Sequence, residues 1–396
     1  MRFGPGWAAS AAAAALVTAT ATAALTGTTA ATAAPAKSGP AHPAAGWRVE
    51  KALRGLDVQA VTASGAGNAW LLGLVPDPEP TFVTQRWNGR RWAPVPLPAR
   101  LHGVIGPWAL FSGIYTTSAT DTWFFPVLPD HLVPVQYALR WNGSAWLTSR
   151  VTKGPDTVLD AAVFSARDVW AFGAAGGSFP DYGPAVVRRW NGKTWRTATV
   201  PVGTPVTIDP IAPGDIWALG VSKATVHKAR QAMIAMHWNG RAWSAPRLPA
   251  FRPVTAGHPW VATAIWAAGP RNAWVAETPA VSQQTGLGPA GVILLHWNGA
   301  RWATAARSRT VGGAAGLAPD GHGGLWLIAA GRGSASDLVD YRHGRFTSRP
   351  APAPKGYTDL VSGIAAIPGT GSLWAAATLI PLGTDTQQAA ILRYDP

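Results

Sequence analysis

Arg86-Trp87-Asn88-Gly89-Arg90-Arg91-Trp92 is the stretch that decides the fold. Asn-Gly between two strand-like runs is the strongest short-range hairpin signal, because both central residues of a type I′ turn need φ > 0. The pattern predicts paired strands over 82–88 and 90–98. The unit returns at Arg140–Trp146, Arg189–Trp195, His237–Trp243 and His296–Trp302. A worn copy is Tyr341-Arg342-His343-Gly344-Arg345-Phe346, and the chain ends in Arg393-Tyr394-Asp395-Pro396, the first half of another.

A second unit precedes each copy: a small or acidic residue, one spacer, then Trp in an apolar run. Its members are Asn68-Ala69-Trp70, Asp121-Thr122-Trp123, Asp168-Val169-Trp170, Asp215-Ile216-Trp217, Asn272-Ala273-Trp274, Gly324-Leu325-Trp326 and Ser372-Leu373-Trp374. Successive Trp positions lie 53, 47, 47, 57, 52 and 48 residues apart. That is the length of a four-stranded propeller blade, repeated seven times. A first hairpin over 58–64 and 69–75, turned by Gly65-Ala66-Gly67-Asn68, completes four antiparallel strands. Runs such as Ala185-Val186-Val187-Arg188-Arg189-Trp190 suit sheets stacked on both faces.

The two ends of the chain complement each other. The last copy stops at Pro396, before its outer strand, and Gly46-Trp47-Arg48-Val49-Glu50 resembles what should follow. The expected fold is therefore all-β, a seven-bladed propeller over 46–396. Its last blade is closed by the N-terminal strand, which removes exposed sheet edges.

Strand, Gly, loop, strand, then aromatic-x-x-x-x-Trp and a closing Pro resembles kelch-type repeats. Asp168–Gly173 leading to Trp190–Trp195 and Pro201 shows it best. The Asn-Gly-x-x-Trp hairpin also resembles a degenerate Asp-box. The likeness covers nearly all of 46–396 and is nearest to secreted propellers of high-GC actinobacteria. The chain mostly lacks the Gly-Gly doublet of kelch repeats and the leading Ser-x-Asp of Asp-boxes. The kelch likeness does not bring copper–radical chemistry with it, because that needs a Tyr–Cys crosslink and the chain has 0 Cys. These motifs specify fold and are nearly silent on function.

The N-terminus reads as a processing segment. Arg2 precedes an Ala/Thr-rich apolar stretch over 8–34, and Ala31-Thr32-Ala33 fits an A-x-A cleavage site. Residues 1–33 are expected to be a signal peptide, 34–45 a Pro/Ala/Gly linker, and the product secreted and monomeric. A retained N-terminal anchor is the alternative. No later run is long enough to span a membrane. Net charge is +14, but no Lys/Arg block exists and the Arg residues are scattered. No dedicated nucleic-acid site is expected.

The repeat argument sorts the candidate residues. Of 22 Trp, five lie outside the repeated units: Trp7, Trp47, Trp108, Trp260 and Trp266. A Trp present in every blade fills the gap between blades; a ligand platform should be peculiar to one. Trp260, in the long connection after Arg252, is the candidate platform. Asp121, Asp168 and Asp215 recur before Trp, where Asx side chains cap tight turns, and are read as structural. His237 and His296 occupy the repeat's Arg slot and are read likewise. Glu277 is a departure: other blades carry Gly73, Gly173, Gly220 or Ala329 at that place.

Propellers bind ligands on the face built by the second-to-third-strand loops and the interblade connections, an expectation carried over from the architecture. There lie Asp130, His131, Asp181, Tyr182, His258, Trp260 and Glu277, with Asp209 expected on an innermost strand facing the channel. No metal motif, nucleophile elbow or phosphate loop is present, and no cofactor is expected. Asp320-Gly321-His322-Gly323-Gly324 reads as a turn, with calcium binding as a minor alternative.

Three readings follow. The first is a binding module holding a carbohydrate, a cell-wall polymer or a protein. The second is a structural or protein-interaction propeller. The third is a polysaccharide-active enzyme, a hydrolase or lyase, in which Glu277 would pair with Asp181, Asp209 or Asp130.

Overall fold

A computed structural model describes residues 46–75, 81–99, 113–130, 133–152, 156–176, 183–222, 233–254, 258–280, 291–330, 336–381 and 388–396, without the side chains of 127–130, 133, 134 and 330. The expected leader and linker, His131, Asp181, Tyr182 and Trp108 lie outside these residues. Among the described residues no helix is long and apolar enough to cross a membrane.

The strands form seven sheets. Strand β1 spans Gly46–Arg54. Blade 1 is β2 (Asp57–Gly65), β3 (Asn68–Val75), β4 (Thr81–Trp87) and β5 (Trp92–Val95). Blade 2 is β6 (Ile114–Ser118), β7 (Asp121–Phe124), β8 (Val127–Asp130), β9 (Val133–Trp141) and β10 (Trp146–Arg150). Blade 3 is β11 (Asp156–Ser165), β12 (Asp168–Ala175), β13 (Ala185–Trp190) and β14 (Trp195–Thr197). Blade 4 is β15 (Gly203–Ala212), β16 (Asp215–Ser222), β17 (Met233–Trp238) and β18 (Trp243–Ser244). Blade 5 is β19 (Trp260–Gly269), β20 (Asn272–Pro279), β21 (Val292–Trp297) and β22 (Trp302–Ser308). Blade 6 is β23 (Ala314–Pro319), β24 (Leu325–Ala330), β25 (Ser336–Arg342) and β26 (Arg345–Pro350). Blade 7 is β27 (Tyr357–Ala366), β28 (Leu373–Pro381) and β29 (Gln388–Asp395), with β1 outermost.

Within each blade the strands run antiparallel, and the first is innermost. Neighbouring innermost strands touch all the way round, from β2 through β27 and back to β2. In blade 2 the second strand is broken at Phe125-Pro126. Gln136 donates to both of those carbonyls (2.9 Å each), which keeps the break satisfied. The expected closure is present: Trp47 pairs with Tyr394 and Arg54 with Gln388.

The seams between blades explain the Trp repeat. The second-strand Trp of one blade meets the hairpin aromatics of the next, both of them in five of the seven seams and one of them in the seams of Trp170 and Trp274. Trp70 lies 5.7 and 5.5 Å from Trp141 and Trp146, and Trp217 lies 5.8 and 5.5 Å from Trp297 and Trp302. The ring closes with the same contact, Trp374 being 5.2 Å from Trp87 and 5.1 Å from Trp92. Such tilted and edge-on pairs add roughly 0.5–1.5 kcal/mol each beyond the area they bury. Trp47 is the outer-strand Trp of blade 7, 5.5 Å from Trp326 and 5.4 Å from Tyr394. It completes the last copy, as the complementary ends of the chain predict: its unit is divided between the two termini.

The Asn-Gly turns differ from the expected type I′ geometry. Trp87 pairs with Trp92, leaving a four-residue loop. Only the glycine has positive φ (Gly89, +91°). Asn88 sits one place earlier, and its Oδ1 accepts the Arg90 and Arg91 amides at 3.0 Å. The two-residue turn with both φ positive occurs in the worn copy instead, at His343 (51°) and Gly344 (78°).

The Asx residues before Trp also have a different structural role from the expected turn cap. Each reaches the Arg or His of the third strand. Asp121 bonds Arg140 (2.8 Å), Asp168 bonds Arg189 (2.7 and 2.8 Å) and Asp215 bonds His237 (2.7 Å). The cationic or imidazole group then lies on the adjacent Trp. Arg189 is 4.7 Å from the Trp170 centroid, and His237 stacks on Trp217 at 4.2 Å.

Candidate functional site

Antiparallel alternation places the two hairpins of every blade at one end of the ring, the hairpin face. The second-to-third-strand loops and the interblade connections lie at the other, the loop face. Ala262, Glu277, Ile293 and Arg307 form one row across blade 5, two residues from the row of Trp260 and Pro279. Directly opposed residues share a sheet face, as do residues two apart on one strand. Ala262 and Ile293 pack with Trp217 and Leu219 of blade 4, and Phe251 and Trp260 pack at the edge of that cluster. Trp260 and Glu277 therefore lie in the blade 4–blade 5 seam, at its loop-face end.

In blades 3 and 4 the innermost strand leaves no space for a side chain at this level. A Cβ on Gly173 would lie 1.9 Å from the Thr157 carbonyl oxygen, and one on Gly220 would lie 2.2 Å from that of Thr204. Blade 5 places a carboxylate there. Glu277 is 5% exposed, and among the described residues no donor bonds it. Burial pushes its carboxyl up to about 7, opposed by the charge of Arg307. Arg307 is held with its guanidinium 4.5 Å from the Phe251 ring centroid.

Trp260 and His258 are fixed by the interblade connection. Trp260 donates its indole N–H to the Arg252 carbonyl (3.0 Å). Gly291 has no side chain to displace the ring: a Cβ there would come within 2.9 Å of Trp260 Cη2. His258 donates Nδ1–H to the Ala280 carbonyl (2.7 Å), and the Ala280 amide donates to Pro259 (2.7 Å). The structure thus brings together Glu277, Trp260 and His258 around blade 5. Asp130 ends β8 in blade 2, opposite Val133 and away from this seam.

Asp209 lies on the innermost strand of blade 4, as expected, but it is not a free channel carboxylate. It accepts the Ala267 amide of blade 5 and so ties two blades together. Burial first, and the nearby charges of Asp160 and Asp215 next, push it up to about 7 against that hydrogen bond. Glu277 and Asp209 do not form a glycosidase pair. Glu277 faces Ala262, and Ala267 faces Ala273, four residues along β20. That is roughly 13 Å of strand, against about 5–10 Å for paired catalytic carboxyls.

Two inner-strand acids escape a reading by repeats. Asp160 accepts Tyr115 of blade 2 (2.5 Å) and the Ile208 amide of blade 4 (2.6 Å), which clamps three blades. Burial raises it to about 6. Asp359 is 4% exposed, and its Oδ2 has no partner; burial raises it to about 7. Asp359 is the one acid of β27 and Asp160 shares β11 with Asp156; an acid within an apolar run is the only signal either leaves in the sequence. The Asp320 turn is filled from within: its carboxylate accepts His322 and Gly324 amides (2.7 Å each) and Arg342 Nε (2.7 Å). Among the described residues no group of three or more His, Cys, Asp or Glu could hold a metal.

No family model matches the chain, and no curated protein matches it. Solved structures share its fold. The β-propeller domain of the Trilobed protease of Pyrococcus furiosus is 7% identical with a TM-score of 0.54, covering 86% of this chain and 95% of that one. That domain has an open velcro topology, whereas here β1 pairs with β29. A puromycin-hydrolyzing peptidase of Mycobacterium tuberculosis is 12% identical with a TM-score of 0.52, over 84% of this chain. The match spans 52% of the peptidase's own length. A lectin from Aleuria aurantia, six-bladed, is 12% identical with a TM-score of 0.44, over 76% of this chain and 98% of that one. At these identities the likeness shows a β-propeller fold and nothing finer.

Proposed function

We propose that this chain is an exported binding module that holds a carbohydrate, as a free glycan or as part of a cell-wall polymer, at the loop face of blade 5. One observation carries the reading. Glu277 replaces the Gly or Ala of other blades, lies buried with no donor among the described residues, and shares its seam with Trp260. Sugar recognition uses an aromatic face together with a few polar groups that fix orientation. Glu277 supplies an acceptor for ligand hydroxyls, and Trp260 supplies the apolar surface. Its ring is already held by Arg252 and Gly291, so little conformational freedom is lost on binding.

The test is retention of the purified protein by insoluble polysaccharides and isolated cell wall at low and high salt. Retention that survives high salt supports aromatic and hydroxyl contacts. Loss in high salt makes charge the determinant instead. Absence of retention in both removes the insoluble-glycan reading and leaves a protein partner.

A further inference from the structure

The cations that look scattered along the sequence are collected by the topology. The hairpin tips of five blades carry exposed basic side chains at one end of the ring. They are Arg90 and Arg91 in blade 1, Arg167 and Lys193 in blade 3, Arg241 in blade 4, Arg271 and Arg301 in blade 5, and Arg345 in blade 6. Among the described residues none of these eight forms an ion pair.

The tips of one blade lie against each other, which brings the charges close. A Cβ on Gly192 would lie 3.0 Å from Arg167 Cγ, so Arg167 covers the turn that carries Lys193. A Cβ on Gly299 would lie 2.7 Å from Arg271 Nε, so Arg271 covers the turn that carries Arg301.

The acids at this end already have partners. Asp121, Asp168, Asp320 and Asp395 each pair with an Arg of their own blade, Asp215 bonds His237, and Asp340 lies 3.8 Å from Arg342. Among the described residues no acid pairs with the eight tip cations. A field of one sign over a whole face concentrates counter-ions there and steers an anionic partner to it.

Three features narrow the partner. Seven of the eight cations are Arg, whose planar fork matches phosphate oxygens. The hairpin aromatics are turned into the seams, as Trp87 and Trp92 are against Trp374. They offer no platform for unstacked bases. The exposed large apolar residues, Leu147, Val200, Val202 and Val254, do not lie in the turns, so no wedge is presented to an acyl layer. We infer that the hairpin face is a docking surface for a linear polymer carrying phosphodiester groups, separate from the loop-face site.

The probe is poly(glycerol phosphate), titrated into the full chain at several salt concentrations. Single-stranded DNA and phosphatidylglycerol vesicles serve as comparators. Arg90→Glu with Arg91→Glu, and Arg271→Glu with Arg301→Glu, are each expected to weaken binding about tenfold or more and to flatten the salt dependence. Reversing Arg247 and Arg309, at the loop-face end, should change affinity by less than about twofold. The corresponding Gln pairs at the tips should give a smaller loss of the same sign, which separates charge from misfolding. No binding of the parent at about 0.15 M salt overturns the inference. So does an equal loss from the loop-face reversal, or tighter binding to DNA or vesicles than to the polymer.

Discussion

Trp47 lies edge-on to Trp326, with ring centroids 5.5 Å apart and planes at 84°, although one belongs to the first strand of the chain and the other to blade 6. Tyr394 completes the cluster 4.7 Å from Trp326. This is the aromatic triad seen around Trp70, Trp123, Trp217 and Trp374, with its two hairpin aromatics drawn from both termini. Ring closure is therefore a side-chain contact as well as a strand pairing.

Removing that contact should loosen the whole ring. Trp47→Ala is expected to cost roughly 3 kcal/mol, the order found for burying and then deleting a large aromatic, and to lower the melting temperature. Trp47→Phe should recover much of the loss. Deleting residues up to Arg54 should do worse, because it bares the edge of β29 and should produce aggregation visible by light scattering.

The polar pairs beside each Trp should differ in weight according to burial. Asp320 has a side chain 0% exposed and holds two backbone amides as well as Arg342, whereas the Asp168–Arg189 pair is 20% and 45% exposed. Asp320→Ala is expected to destabilise by roughly 3–5 kcal/mol, since it strands buried donors and a cation. Asp168→Ala should cost about 1 kcal/mol. Chemical denaturation of the two variants side by side measures the difference.

Glu277 gives the protein a pH signature. Burial lifts its carboxyl from 4.5 to about 7. Between those values the native state binds more protons than the unfolded chain, so this contribution to stability falls as pH rises and stays lost above about 7. Asp160, Asp209 and Asp359 act with the same sign. Glu277→Gln is expected to be more stable than the parent at about pH 8, by roughly 2–3 kcal/mol, and to show no such gain at about pH 4. Unfolding midpoints of both proteins at the two pH values decide it.

The architecture was legible because a propeller writes its physics periodically. A Trp needed in every seam returns in every blade, and the number of blades follows from counting it. What escaped was whatever the repeat divides or hides. Trp47 is legible only by joining the two termini, since its partner strand is at the other end. The Asn-Gly pair suggests the centre of a two-residue turn, whereas Asn88 takes the position before it and caps the loop. Arg90, Arg167, Arg271 and Arg345 look dispersed in the chain, yet topology brings them to one face. Asp160 recurs in no other blade, and neither it nor Asp359 matches a motif. Of the site, Glu277 and Trp260 were found as departures from the repeat. Phe251 and Arg307 leave no sequence signal: the strand register brings Arg307 into the Glu277 row, and Phe251 reaches it from the interblade connection through its contact with Arg307.

The measurement that most directly tests the loop-face reading is retention on insoluble polysaccharide and cell wall at high salt, comparing the parent with Trp260→Ala and Glu277→Gln. The expected result is that the parent is retained and both variants are lost to the supernatant while remaining folded. Retention of the variants at the parent's level would contradict a ligand site in the blade 4–blade 5 seam.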